Sequence, residues 1–192
     1  MNSPAVLVVV AGTAGAGKSR FGSIVAERTG ARRLDVAELI NGIDDDELPG
    51  PDDYASLLAV AGKALESGQS VVVIGPFHTL ASRKEVMRVA SDAQSALLYV
   101  ECSANESVRK RRLRDELIAA EKLTGLDKRL TKRMAQDDDH VPLEDEIPRA
   151  CQMLIDTTIG LSLWASLAAC RVDAYVQIGV KAPPEQQAVS AG

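Results

Sequence analysis

Uninterrupted apolar runs alternate along this chain with longer segments whose apolar residues recur at helical spacing. Ala5 to Val10 reads AVLVVV: β-branched, uncharged and unbroken, as a strand buried on both faces of a parallel sheet should be. A glycine-rich turn from Gly12 to Gly17 follows, and the spacing then predicts a helix from about Lys18 to Arg28, closed by Gly30. Arg32 to Asp35 fits a short second strand. The acidic, Gly- and Pro-flanked stretch from Gly42 to Asp53 reads as a surface loop, and Asp52 or Asp53 opens a helix that runs to about Ser67 and stops at Gly68. Val71 to Ile74 is a third strand, with a helix from Ser82 to Ser91 after it. Ala96 to Val100 is a fourth strand, followed by a long helix from Glu106 to about Glu121. Met153 to Asp156 is a fifth strand, before a helix from about Leu161 to Ile178. Strands alternating with helices predict a parallel sheet with right-handed crossovers. One domain is expected over residues 1–180, with a frayed tail over 181–192 that carries Pro183 and Pro184.

Composition narrows the class. At 192 residues, 46% hydrophobic and 26% charged, the chain can bury a full core. A net charge of -5 argues against a nucleic-acid coat or a membrane-surface protein. Cys102, Cys151 and Cys170 form no CxxC pair and leave an odd thiol, so neither a disulfide framework nor a zinc ribbon is expected. The opening Met1 to Pro4 lacks the basic start of a signal peptide. The apolar stretch from Ile159 to Cys170 is shorter than the roughly 18 residues a bilayer needs. A soluble, cytoplasmic protein with no membrane partner is the expectation.

The chemistry is concentrated after the first strand. Gly12, Thr13, Ala14, Gly15, Ala16, Gly17, Lys18 and Ser19 satisfy G-x-x-x-x-G-K-[ST], between a buried strand and a helix start. Glycines let the backbone curl so that successive N–H groups face inward at phosphates, and the helix N-terminus adds partial positive charge there. Lys18 can reach the β- and γ-phosphates, the Ser19 hydroxyl can ligate Mg²⁺, and Arg20 continues the nucleotide-binding run. The motif implies a nucleoside triphosphate, expected to be ATP with Mg²⁺. Asp35 ends the second strand at the same edge of the sheet. A carboxylate there can orient or deprotonate an acceptor hydroxyl or hold Mg²⁺, and it can also simply cap the helix that follows.

From Val6 to about Thr158 the chain resembles the small P-loop kinases, a family that includes gluconate and shikimate kinases, chloramphenicol phosphotransferase, polynucleotide kinase and zeta toxins. The resemblance rests on the GTAGAGKS loop, Leu34-Asp35, the run Val71 to Phe77, the basic segment after Glu101-Cys102-Ser103, and Ile155 to Thr158. It implies a P-loop three-layer sandwich with a five-stranded parallel sheet, a basic helical lid over about residues 105–134, and Asp35 as base. It also implies that one lid arginine meets the adenine and another the phosphates; Arg109 and Arg112, three apart on one helical face, are assigned to nucleotide binding and catalysis respectively. Between Arg109 and Arg133 ten residues are basic and four acidic, which suits such a lid as well as a solvated helix. Two positions depart from the family. Ile74 and Gly75 stand where relatives often end the third strand in Asp, and Glu38 stands where many carry Arg.

Weaker candidates complete the site. His78 and Arg83 lie just past the third strand, where an acceptor would bind, although polar residues at a helix start explain them too. Asp137 to His140 reads as a solvated loop rather than a metal cluster, and the acids from Asp44 to Glu47 as a loop that could attract a cationic acceptor. The leading expectation is an ATP-dependent kinase acting on a small-molecule hydroxyl. A nucleotide-binding switch or ATPase with a protein partner is the alternative. A polynucleotide 5′-hydroxyl kinase ranks last, because aromatics are only 3% and single-strand binders stack bases on them. Neither the acceptor nor the oligomeric state is legible.

Overall fold

Strand β1 (Val6–Gly12) lies at the centre of a five-stranded, all-parallel sheet in the computed structural model. β3 (Val71–Ile74) and β4 (Ala96–Ser103) flank it, and β2 (Arg32–Asp35) and β5 (Gln152–Asp156) form the edges, in the order β2-β3-β1-β4-β5. The structure describes residues 4–39, 51–122, 124–135, 143 and 147–180. The acids Asp44 to Glu47, the run Asp137 to His140 and the tail from Lys181 lie outside the described residues.

Period-two alternation divides the core into two layers. Leu7, Val9 and Ala11 of β1 face Leu57, Leu58 and Ala61 of α3 (Pro51–Glu66) and Val86 of α4 (Leu80–Asp92). Val6, Val8 and Val10 face Phe21 and Val25 of α1 (Lys18–Thr29) and Ala165, Ala168 and Val172 of α7 (Leu161–Ile178). Each valine or leucine so buried contributes roughly 1.5–3 kcal/mol. This is the expected three-layer sandwich.

Several boundaries differ from the sequence reading. α4 begins at Leu80 rather than Ser82, because the Thr79 hydroxyl caps it by accepting from the Ser82 amide at 3.2 Å. β4 continues past Val100 to Ser103, taking in the charged Glu101. The lid segment is two helices rather than one. α5 (Glu106–Ala119) is capped by the Asn105 side chain and α6 (Leu126–Ala135) follows, with Leu113, Leu117 and Leu130 forming a small core between them. A four-residue helix, α2 (Val36–Leu39), follows β2.

Candidate functional site

Strand β1 runs directly into the phosphate loop, and close backbone approach dictates its glycines. Gly12 has φ 131°, and a Cβ there would collide with the Cys102 carbonyl of β4. At Gly15 (φ 72°) a Cβ would come within 2.7 Å of the Arg109 carbonyl oxygen. Gly17, in the left-handed region, opens α1 without an N-cap side-chain bond, so the positive end of that helix is presented to the loop. The Lys18 ammonium donates to Thr13 O at 2.8 Å, resting against its own loop. Ser19 and Arg20 are exposed on the first turn.

The outer wall of the loop is held by α5 and by the turn after β5. Arg109 Nη1 donates to Ala14 O at 3.4 Å, and Arg112 Nη1 to Gly15 O at 3.3 Å. Arg112 also donates to both oxygens of Thr157, at 2.9 Å to Oγ1 and 3.0 Å to the carbonyl. The Thr157 hydroxyl donates in turn to Ala16 O at 2.6 Å. Ala14 itself packs on the small core between α5 and α6. Loop carbonyls are thus drawn outward, which aims the amides of such a nest inward. The two arginines that share a helical face both reach the loop, as their spacing predicts.

Thr157 is 4% exposed, so its replacement tests this clamp. Thr157→Val keeps the shape and leaves Ala16 O and one Arg112 donor without their hydroxyl partner. A loss of about 1–3 kcal/mol in folding stability is expected, with weaker nucleotide affinity. Urea unfolding and nucleotide titration measure both; unchanged values would show that the clamp is idle.

Asp35 stands one strand further out than adjacency to the loop would require. It is in register with Ile74, which is itself in register with Val10 of β1. Two strand spacings separate Asp35 from β1, about 10 Å. Its carboxylate is buried and engaged. Oδ2 accepts from Arg33 Nη2 at 2.8 Å, and Oδ1 from the Ala37 amide at 3.1 Å, so the helix-capping role is real. Arg33 also pairs with Glu38 at 2.6 Å, which gives the departing Glu38 a local partner.

The turn from Gly75 to Thr79 carries His78. Phe77 is buried with φ 41°, an uncommon conformation for a bulky residue. Its carbonyl accepts from the Tyr99 hydroxyl at 2.8 Å, and the Tyr54 ring meets its ring edge-on at 5.3 Å. Burial, then the neighbouring Asp53, holds the Tyr54 hydroxyl above its ordinary pKa. His78 is half-buried. Arg83 lies deeper than a surface acceptor ligand: it is fully buried, and its guanidinium donates to His78 O at 3.4 Å.

One residue the sequence reading left without a role joins this group. Glu101 is in register with Ala11, one position before the loop begins. Burial pushes its carboxyl up to about 7, while Arg83 and Lys18 pull in the opposite direction. Burial likewise pushes the neighbouring Cys102 thiol up to about 12. The available signal was a single acid directly after the apolar run Ala96 to Val100.

Among the described residues no group of three or more His, Cys, Asp or Glu could hold a metal ion, and no helix is long and apolar enough to cross a membrane. The Ser19 hydroxyl, exposed at the loop's end, fits a Mg²⁺ ion shared with phosphate oxygens and water better than a protein-only cage.

The architecture is shared with solved structures. A gluconokinase from Sinorhizobium meliloti superposes with a TM-score of 0.60 at 22% identity, covering 93% of this chain and 97% of that one. The Mycobacterium tuberculosis APS kinase CysC, in complex with AMPPNP and APS, gives 0.63 at 19% identity, covering 88% and 98%. Kti12 from Chaetomium thermophilum, in complex with ADP-AlF3, gives 0.67 at 10% identity, covering 88% and 98%. A search of curated proteins finds no match. The model of an AAA domain family, AAA_33, matches residues 7–122, more than half of the chain. With a complete phosphate loop on a β2-β3-β1-β4-β5 parallel sheet, the chain belongs to this AAA domain family and has the fold of the small P-loop kinases.

Proposed function

We propose that the protein is an ATP-dependent phosphotransferase that moves the γ-phosphoryl group to a hydroxyl of a small-molecule acceptor. One observation carries this reading: a complete phosphate loop whose outer wall is gripped by two arginines of the α5–α6 segment. The gluconokinase and APS kinase likenesses support a kinase generally, not an acceptor. In this reading the loop amides and Lys18 bind the triphosphate, and Ser19 holds Mg²⁺, which would neutralise charge on the β- and γ-phosphates. Arg109 binds the nucleotide, and Arg112 leaves its bonds to Gly15 and Thr157 to meet charge spreading over the transferred group. Asp35 accepts the acceptor's proton or orients its hydroxyl. His78 lies on the acceptor side, and Arg83 supports that turn from below.

Arg33 already partners the Asp35 carboxylate, so an acceptor's proton or Mg²⁺ would have to compete with that cation for it. That favours one other reading, a nucleotide-binding switch or slow ATPase with a protein partner. ADP release with and without a panel of sugars, other alcohols, aminoglycosides, nucleosides and DNA 5′ ends separates the two. Release that depends on a small hydroxyl compound is the expected result; slow release indifferent to every acceptor would select the switch.

A further inference from the structure

Helix α7 is apolar on every side, yet among the described residues its outer side is exposed. Of its 18 residues only Arg171 and Asp173 are charged. Ala165, Ala168 and Val172 point into the layer shared with α1. At about 100° per residue, Leu163, Leu167, Cys170, Ala174 and Ile178 form a row on the opposite side, and Ile159 extends it ahead of the helix. Ile159, Leu163, Leu167 and Ile178 are 72%, 63%, 47% and 76% exposed, with the exposed Cys170 among them. A helix that is apolar all round is ordinarily buried all round. At about 27 Å long, α7 presents a strip of roughly 300 Å² in plan, a size at which exposed apolar surface marks a docking site.

The segments outside the described residues are poor cover for it by composition: residues 41–50 carry four acids, residues 136–146 six, and residues 181–192 read KAPPEQQAVSAG. The row is, however, complementary to itself. Under a twofold axis level with the Ala168–Ala169 bond, two copies of α7 lie antiparallel, and Leu163 meets the partner's Ala174 while Leu167 meets the partner's Cys170. Each layer sets a large side chain against a small one, and isoleucines close both ends. The flanks match in charge. Asp173 falls at the level of the partner's Trp164, on the side where the partner's Arg28 holds Ser162 and Ser166, so opposite charges border the seam at both ends.

We propose that this face of α7 is the contact between two copies of the chain, joined as an antiparallel, isologous helix pair. One helix face falls short of the ~800 Å² per partner of a standard interface, so the dimer should be weak, with a Kd on the order of 10–100 µM.

Sedimentation of the full chain from about 1 to 500 µM reads this equilibrium. The expected result is monomer giving way to dimer and to nothing larger, because a closed twofold contact leaves no copy of the strip free. Leu163→Glu combined with Leu167→Glu should weaken association by about a hundredfold or more, since four carboxylates would enter an apolar seam. Both side chains are exposed, so the fold should survive, as circular dichroism will check. A second readout needs no variant. Cys102 and Cys151 are buried, so a short bismaleimide should react at Cys170, whose two copies lie about 6–7 Å apart between Cα atoms in the antiparallel pair. Covalent dimer joined through Cys170, appearing over the concentrations of association, is expected. A chain monomeric at every concentration would overturn the inference, as would a dimer that survives the double glutamate change or one whose Cys170 thiols are not joined. Capture of a monomeric chain by phosphatidylcholine vesicles would overturn it too and make the strip a lipid-facing one.

Discussion

Lys18→Ala should lower phosphoryl transfer by roughly 10² to 10³, the loss typical when one preorganised charge is removed from a developing transition state. The Lys18 ammonium donates to Thr13 O, five residues back. Losing that bond should cost about 1 kcal/mol of stability at most, so the chain should still fold. The phosphates, by contrast, would lose the one loop side chain able to follow the γ-phosphoryl group as it moves. Acceptor-dependent ADP release measures the rate, and urea unfolding confirms that loss of rate is not loss of fold. Turnover like the wild type's in a folded variant would sink the phosphotransfer reading.

Asp35→Asn is the second large effect. The carboxamide matches the carboxylate in size, and its oxygen can still accept from the Ala37 amide, so the cap on α2 is preserved. What disappears is the charge facing Arg33 and any capacity to accept a proton. If Asp35 serves the acceptor, transfer should fall by about 10² or more while Mg·ATP binds nearly as before. If it anchors the metal instead, nucleotide affinity and its Mg²⁺ dependence should fall together. A third outcome is readable because the structure engages both carboxylate oxygens: stability falls by about 1–3 kcal/mol and transfer is untouched. That result would reduce Asp35 to the fastener of β2 and α2. Nucleotide titration, steady-state transfer and urea unfolding on the same variant separate the three.

The sheet and the loop were legible in the sequence because their causes are local. A strand buried on both faces must be apolar at every position, so Ala5 to Val10 announces itself, as does Val71 to Ile74. The phosphate loop is contiguous, and its glycines answer to backbone conformation and close approach, so eight successive residues describe it. Left-handed Gly30 ends α1 where the pattern put it, and α7 ends at Ile178 as expected. What the tertiary structure decided is everything that joins distant segments. Placing β3 between β1 and β2 moves Asp35 one strand away from the loop, and no property of residues 32–35 encodes that order. Arg112 and Thr157, forty-five residues apart, meet because α5 and the turn after β5 both leave the same end of the sheet. Arg83 could be read as an acceptor ligand or a helix-start polar residue because charge is ordinarily solvated, yet it is fully buried, with its guanidinium donating to His78 O. Glu101 was opaque for a related reason: an acid just past the apolar run Ala96 to Val100 looks solvent-facing until the strand continues to Ser103 and parallel register pairs it with Ala11 of β1. Periodicity reports which face of its own element a residue occupies; crossover connections determine which charges share that face.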